Sequence, residues 1–214
     1  REIGFPWSPG MVERARRSSG ATVMAARSAL REGLAANLAG GTHHAFADHG
    51  SGFCIFNDCA VAAKVLLAEG TVQRLMVIDL DVHQGDATAA IFADEPRVFT
   101  FSAHCASNFP LHKQRSDLDL PLADGLEDQA YLAAVGDVLP DLLDQQRPEL
   151  VLYNAGVDPH RGDRLGRLAL SSEGLLNRDR LVLDACLRRG IPVATMIGGG
   201  YDDLAPLVER HGLL

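Results

Sequence analysis

A single doubly wound α/β domain on a mostly parallel β-sheet, flanked by helices, is predicted on three grounds. Four short apolar runs are continuous rather than alternating, the pattern of parallel strands covered on both faces. Helical patterns fall between them, so strand and helix alternate along the chain. The composition, 47% hydrophobic with only 6% aromatic residues and 21 glycines, suits a core packed from Ala, Leu and Val rather than an all-β sandwich. A length of 214 residues fits one sizeable core.

The elements follow in order. A helical pattern over about 10–45 runs into "GGTHHAFADHGSGFCIFND", residues 40–58, which is Gly-rich, polar and mixed with aromatics. A loop of that length inside a compact domain is usually functional. A helix is predicted over 58–69, then a strand at "RLMVIDL" (74–80), a helix over 86–93 and a strand at "RVFTFSA" (97–103). The next helix, 127–146, opens near "DGLEDQAYL" and closes before "QQRPEL"; "ELVLYNAG" (149–156) is a strand, 171–189 a helix and "IPVATMIGGG" (191–200) the last strand. No repeat, low-complexity tract or Ser/Gly-rich linker divides the chain.

Charge and cysteine usage narrow the function. Twenty-eight acidic against 20 basic residues give a formal net charge of -8, with no long basic run, which disfavours direct nucleic-acid binding. Cys54, Cys59, Cys105 and Cys186 form no CxxC pair, arguing against a zinc ribbon or a disulfide-stapled scaffold and for a cytoplasmic location. No apolar stretch reaches the roughly 18 residues of a membrane span, and the N-terminus lacks signal-peptide features. The chain starts at Arg1 with its first Met at position 11, which reads as processing or a fragment.

Ligands of open parallel sheets bind at the carboxyl ends of strands, and here those ends read "DLDVHQGD", "SAHC", "NAGVD" and "GGGYDD". Alternate strand positions share a face, so Asp79, Asp81 and His83 point the same way. With Asp158 from the next-but-one strand, Asp81 and His83 offer two carboxylates and an imidazole, a three-ligand metal set with an open position. Taken singly, each residue has a plainer use. Asp158 or Asp86 could be a helix N-cap or turn residue, the His43–His44 pair could be solvated, and Tyr201 could be packing. All of these would have to coincide at four strand ends.

These residues resemble the zinc-dependent histone deacetylase superfamily. "GGTHHAFADHGSGFCIFND", "VIDLDVHQGDAT", "NAGVD" and "GGGY" occur in the family's order, over about Phe5 to Tyr201. "FPWSPGMVERARRSSGAT", "NAGVDPHRGDRLGRLALS" and Gln84 after His83 look more like class IV (histone deacetylase 11-like) and its bacterial relatives. The resemblance implies the arginase/deacetylase fold across residues 1–214, lacking its N-terminal part, so that a preceding segment or a partner would complete one rim of the mouth.

It further implies one catalytic Zn²⁺ on Asp81, His83 and Asp158, which polarises the amide carbonyl of an Nε-acyl-lysine and acidifies a bound water. His44, supported by Asp86, would be general base and then acid; His43, supported by Asp79, its electrostatic partner; Tyr201 the oxyanion donor. Gly52, Phe53 and Gly199 would line the acyl-lysine channel. A structural K⁺ would sit on Asp79, Asp81, His83, Ser102 and Ala103, and a second on carbonyls of Phe92, Glu95 and Val98. Substrates would be an acyl-lysine protein or peptide or a small acylated amine such as an acetylpolyamine, with long fatty acyl groups as candidates alongside acetyl. The same ligands could hold Fe²⁺. A binuclear manganese site of the arginase type would need carboxylates where Gly85 and His160 stand, and an inactive binding fold would not need the full catalytic set.

Overall fold

The computed structural model describes residues 3, 4 and 6–214; Phe5, where the family resemblance begins, lies outside the described residues. Six strands, β1 (Leu34–Asn37), β2 (Leu75–Asp79), β3 (Val98–Cys105), β4 (Leu118–Leu122), β5 (Leu150–Asn154) and β6 (Val193–Met196), form one sheet in the order β1-β6-β5-β2-β3-β4. Every pairing is parallel.

Helices cover both faces. Strand residues alternate between two cores, as a period of two requires. Met76 and Ile78 of β2 and Val151 and Tyr153 of β5 pack with α4 (Asp128–Gln146) and α5 (Ser172–Leu187). Leu75, Val77, Leu150 and Leu152 pack on the other face with α1 (Pro9–Glu32) and α2 (Asp58–Ala68). Both faces of β2 and β5 are therefore dry, which is why their sequences show no polar alternation.

Three expectations need correction. The first helix ends at Glu32 rather than near 45: Gly33, at φ 88°, donates its N–H to the Ala29 carbonyl at 2.7 Å, a glycine-capped terminus. Its other end is set by Ser8, whose hydroxyl accepts from the Met11 N–H, and by Pro9 in the first turn. Second, "LAAN", inside the helix expected over 10–45, is the edge strand β1; "LDLPL", which the sequence reading leaves unassigned, forms the opposite edge β4. Third, a short helix, α6 (Leu204–His211), follows the last strand, which itself stops at Met196 rather than running to residue 200.

The chain leaves β2 toward β3 on one side, through α3 (Asp86–Phe92), and leaves β5 toward β6 on the other. The boundary between β2 and β5 is thus the topological switch point, where a crevice opens beyond the strands' carboxyl ends.

Candidate metal-dependent active site

At that switch point β2 delivers Asp79, Asp81 and His83, and β5 delivers Asp158. One candidate metal-holding group of three occurs among the described residues: Asp81, His83 and Asp158, with ligand atoms within 4.8 Å of one another and all three side chains buried. His83 Nδ1 lies 3.0 Å from Asp81 Oδ1 and 3.1 Å from Asp158 Oδ2. Backbone N–H groups hold the carboxylates: His83 donates to Asp81 Oδ1, Val82 to Asp158 Oδ1 and Gly199 to Asp81 Oδ2, at 3.0, 2.9 and 2.8 Å.

Two buried carboxylates this close repel. Burial first, and the Asp81 carboxylate second, push Asp158 up to about 7. A cation at their shared position would remove that penalty, and the two oxygens and one nitrogen suit zinc. The residues present therefore fit such an ion. They do not fit two: a Cβ at Gly85 would lie 2.3 Å from Asp79 Oδ2, so no acidic side chain can enter there on this backbone. His160 instead uses Nδ1 to accept from the Gly162 N–H, with Nε2 near the Ser172 hydroxyl.

Two histidine–carboxylate pairs stand beside the trio. His43 Nδ1 is 2.6 Å from Asp79 Oδ2, and His44 Nδ1 is 2.6 Å from Asp86 Oδ1. With Nδ1 so engaged, each ring presents Nε2 to the site. Their environments separate them. Burial opposes the charged form of His43, but the Asp79 and Asp81 carboxylates outweigh it and raise its pKa to about 9. For His44, burial and the neighbouring His43 charge win over Asp86, lowering its pKa to about 4. A neutral imidazole therefore stands next to a charged one.

The loop over residues 40–58 is irregular, as expected, and its placement is built from named bonds. Asp58, fully buried, accepts from the Gly41 and Thr42 N–H groups at 3.2 and 2.8 Å and from the Thr22 and Thr42 hydroxyls at 2.6 and 2.7 Å. Asn57 caps α2 through Ala60 N–H and donates to the Thr88 hydroxyl. Further along, Gly52 (φ 49°) lies flat on His44: a Cβ there would be 2.5 Å from the His44 ring. Phe53 follows in the left-handed region, at φ 65°.

A cavity of about 300 Å³ opens at His83, lined by His44, Gly52, Phe53, His83, Phe109, Leu165 and Tyr201 together with Ile3 and Gly4. The Tyr201 ring meets His83 edge-on at 5.9 Å, and Phe109 meets His44 edge-on at 4.8 Å. Asp163 fixes Tyr201 by accepting its backbone N–H at 2.6 Å. Burial pushes the Tyr201 phenol upward, so its hydroxyl stays a donor at neutral pH. Gly199 lies outside this lining and packs against the Asp81 and Asp158 carboxylates.

Ser102 pairs in register with Asp79, and its hydroxyl is 2.9 Å from His104 Nδ1. The Phe92 and Glu95 carbonyls already accept the Glu95 and Val98 N–H groups. Sequence reasoning missed Asn154, which donates to Asp79 Oδ1 at 3.0 Å, and gave Gln84 no structural task. Gln84 donates to the Gln114 carbonyl and Asp119 and accepts from the Gln114 N–H, tying the loop that bears Phe109 to the metal-site strand.

A carboxylate pair that asks for a cation, set beside a neutral imidazole that can take a proton, is the chemical layout of a metal-dependent hydrolase. The family model "Histone deacetylase domain" matches residues 2–210, and the chain belongs to that family. It is 57% identical over 215 residues to an uncharacterized protein of Picosynechococcus sp., covering 100% of this chain and 72% of that one. It is 33% identical over 189 residues to histone deacetylase 2 of Arabidopsis thaliana, covering 87% of this chain and 49% of that protein. The crystal structure of an HDAC homolog from Aquifex aeolicus superposes with a TM-score of 0.80 at 32% identity, covering 92% of this chain and 55% of that one. The chain thus spans about half the length of these last two relatives.

Proposed function

We propose that this chain carries the site of a metal-dependent amidohydrolase that removes acyl groups from the ε-amine of lysine. One observation carries the reading: His83 of the Asp81–His83–Asp158 trio lines an apolar cavity that His44 and Tyr201 also line. These three residues would hold a Zn²⁺, whose chemistry there is Lewis-acid activation of the amide carbonyl and of water.

The remaining work falls to the chain itself. The walls at Phe53 and Phe109 hold the lysine methylenes and keep water from them. His44, neutral at pH 7, takes a proton from the attacking water at Nε2 while Asp86 holds Nδ1–H, and returns one to the nitrogen as the C–N bond breaks. The products are a carboxylate and a free lysine amine. His43, held charged by Asp79, adds positive potential. Tyr201 donates its hydroxyl to the carbonyl oxygen as charge collects there.

A monovalent cation, K⁺ by resemblance, is proposed at Asp79, Asp81, His83, Ser102 and Ala103, supported by the register that sets Asp79 beside Ser102. The class IV reading rests on Gln84 and on the loop it anchors, where acyl preference would reside. A cytoplasmic location is proposed from the four unpaired, buried cysteines. The test is an acyl-length series on lysine peptides, with acetylpolyamine alongside, run with and without chelator. Chelator-sensitive hydrolysis of an acyl-lysine is expected; no turnover of any acyl-lysine by the metal-loaded protein would overturn the proposal.

A further inference from the structure

Arg178, on α5, is one of the largest fully buried side chains among the described residues. Burying a guanidinium is expensive unless its charge is paired and its N–H groups are used. Its Nε donates to Asp179 Oδ1 at 2.9 Å and its Nη2 lies 2.8 Å from the same oxygen, which also accepts from the Tyr153 hydroxyl at 2.5 Å. The pair is therefore neutral and anchored to β5 through Tyr153.

The informative contacts are those of Nη1. It donates to the Gly156 carbonyl at 2.5 Å and to the Leu80 carbonyl at 3.2 Å. Leu80 lies between Asp79 and Asp81, just beyond the end of β2. Gly156 lies two residues before Asp158, just beyond the end of β5. Backbone bonds continue past both strand ends, from the Leu80 N–H to the Asn154 carbonyl, the Ala155 N–H to the Met196 carbonyl and the Val157 N–H to the Gly199 carbonyl, and Arg178 adds a side-chain bond to each segment. One nitrogen thus bridges the two segments that carry the three candidate metal ligands, and Arg178 itself is not part of the cavity lining.

We propose that Arg178 is a positioning residue that sets the distance between the Asp81–His83 segment and the Asp158 segment. The fork of the guanidinium is what permits this. Nε donates to Asp179, Nη2 stands within ion-pair distance of the same oxygen without a hydrogen bond, and Nη1 remains for the two carbonyls, a division that a lysine ammonium on a flexible stem cannot reproduce. Groups behind metal ligands typically tune affinity by about 10- to 100-fold. The inference rests on the metal-site reading given above but is tested apart from activity.

The experiment measures Zn²⁺ affinity of the purified chain by competition with a chromophoric chelator, and the visible spectrum of the Co²⁺-loaded chain. Two variants are used. Arg178→Lys keeps the charge and loses the fork; Arg178→Met with Asp179→Asn removes the pair while the amide oxygen at position 179 still accepts from the Tyr153 hydroxyl. Leu139→Ala, a fully buried core position on α4, serves as a control for general loosening.

Both Arg178 variants are expected to fold, to bind Zn²⁺ about 10- to 100-fold more weakly and to shift the Co²⁺ bands. The control lowers Tm yet leaves affinity and bands unchanged. The proposal is overturned if the folded Arg178 variants bind Zn²⁺ within twofold of the parent, if Leu139→Ala weakens binding equally, or if neither Arg178 variant folds. A parent chain that binds no Zn²⁺ would instead sink the deacylase reading.

Discussion

Substituting Gly199 by Ala isolates the metal site from the rest of the fold. Its backbone is not in the left-handed region, so alanine meets no conformational strain there. The added Cβ would, however, lie 2.3 Å from Asp158 Oδ2 and 2.5 Å from Asp81 Oδ2, where ordinary contact begins at 3.4 Å. One or both carboxylates must retreat by about 1 Å, several times the roughly 0.2 Å tolerance of a metal–ligand distance. The Gly199 N–H, which donates to Asp81 Oδ2 at 2.8 Å, would be pushed off with them. Zn²⁺ affinity is expected to drop by at least about 10-fold, while the metal-free chain keeps its circular dichroism and loses no more than a few degrees of Tm. Calorimetric Zn²⁺ titration beside thermal melts gives both numbers. A Gly199→Ala chain that binds Zn²⁺ like the parent would refute the placement of these carboxylates as ligands.

Three further outcomes are expected. His44→Ala should lower kcat/KM by about 10²- to 10⁴-fold with Zn²⁺ affinity retained, measured on a fluorogenic acyl-lysine; unchanged turnover would remove His44 from the reaction. Tyr201→Phe should lower kcat by about 10²- to 10³-fold with little change in KM, and a loss confined to KM would argue for packing alone. The third concerns pH. His44 sits at about 4 in the folded chain against 6.5 free, so the unfolded chain takes up this proton first as pH falls. Its contribution to stability is present above 6.5 and lost as pH drops through 4. The base form likewise persists below 6.5, and the His44 ring signals of the metal-free chain should titrate below 6.5 by NMR; a midpoint at or above 6.5 would contradict the environment assigned to His44.

Why some of this could be read from the sequence is clear from particular residues. Asp79, Asp81 and His83 repeat with the period of a strand, and an acid cannot sit in a dry parallel strand without a partner, so "DLDVH" announced both its element and its ligand chemistry. The core strands β2 and β5 stood out because both faces are covered. The edge strands did not: "LAAN" continues the Ala-rich look of α1, and "LDLPL" carries Asp and Pro, which only an edge tolerates. The alanines after Gly33 suit a helix as well as a strand, so the helical pattern overruns the end of α1. Asn154 and Asp58 act through bonds to residues 75 and 36 positions away, beyond any local pattern. Arg178 did leave a trace. It interrupts the buried stripe of Leu175, Val182 and Ala185 at helical spacing, and a charge on an apolar stripe asks what it is paired with.

The central claim is that one divalent ion on Asp81, His83 and Asp158 activates an acyl-lysine amide. Metal analysis of the purified chain, paired with hydrolysis of an acyl-lysine peptide before chelation, after it and after return of Zn²⁺, tests that claim most directly. The account predicts one ion per chain, loss of activity on chelation and recovery with Zn²⁺. Two manganese ions per chain, or turnover that survives complete metal removal, would contradict it.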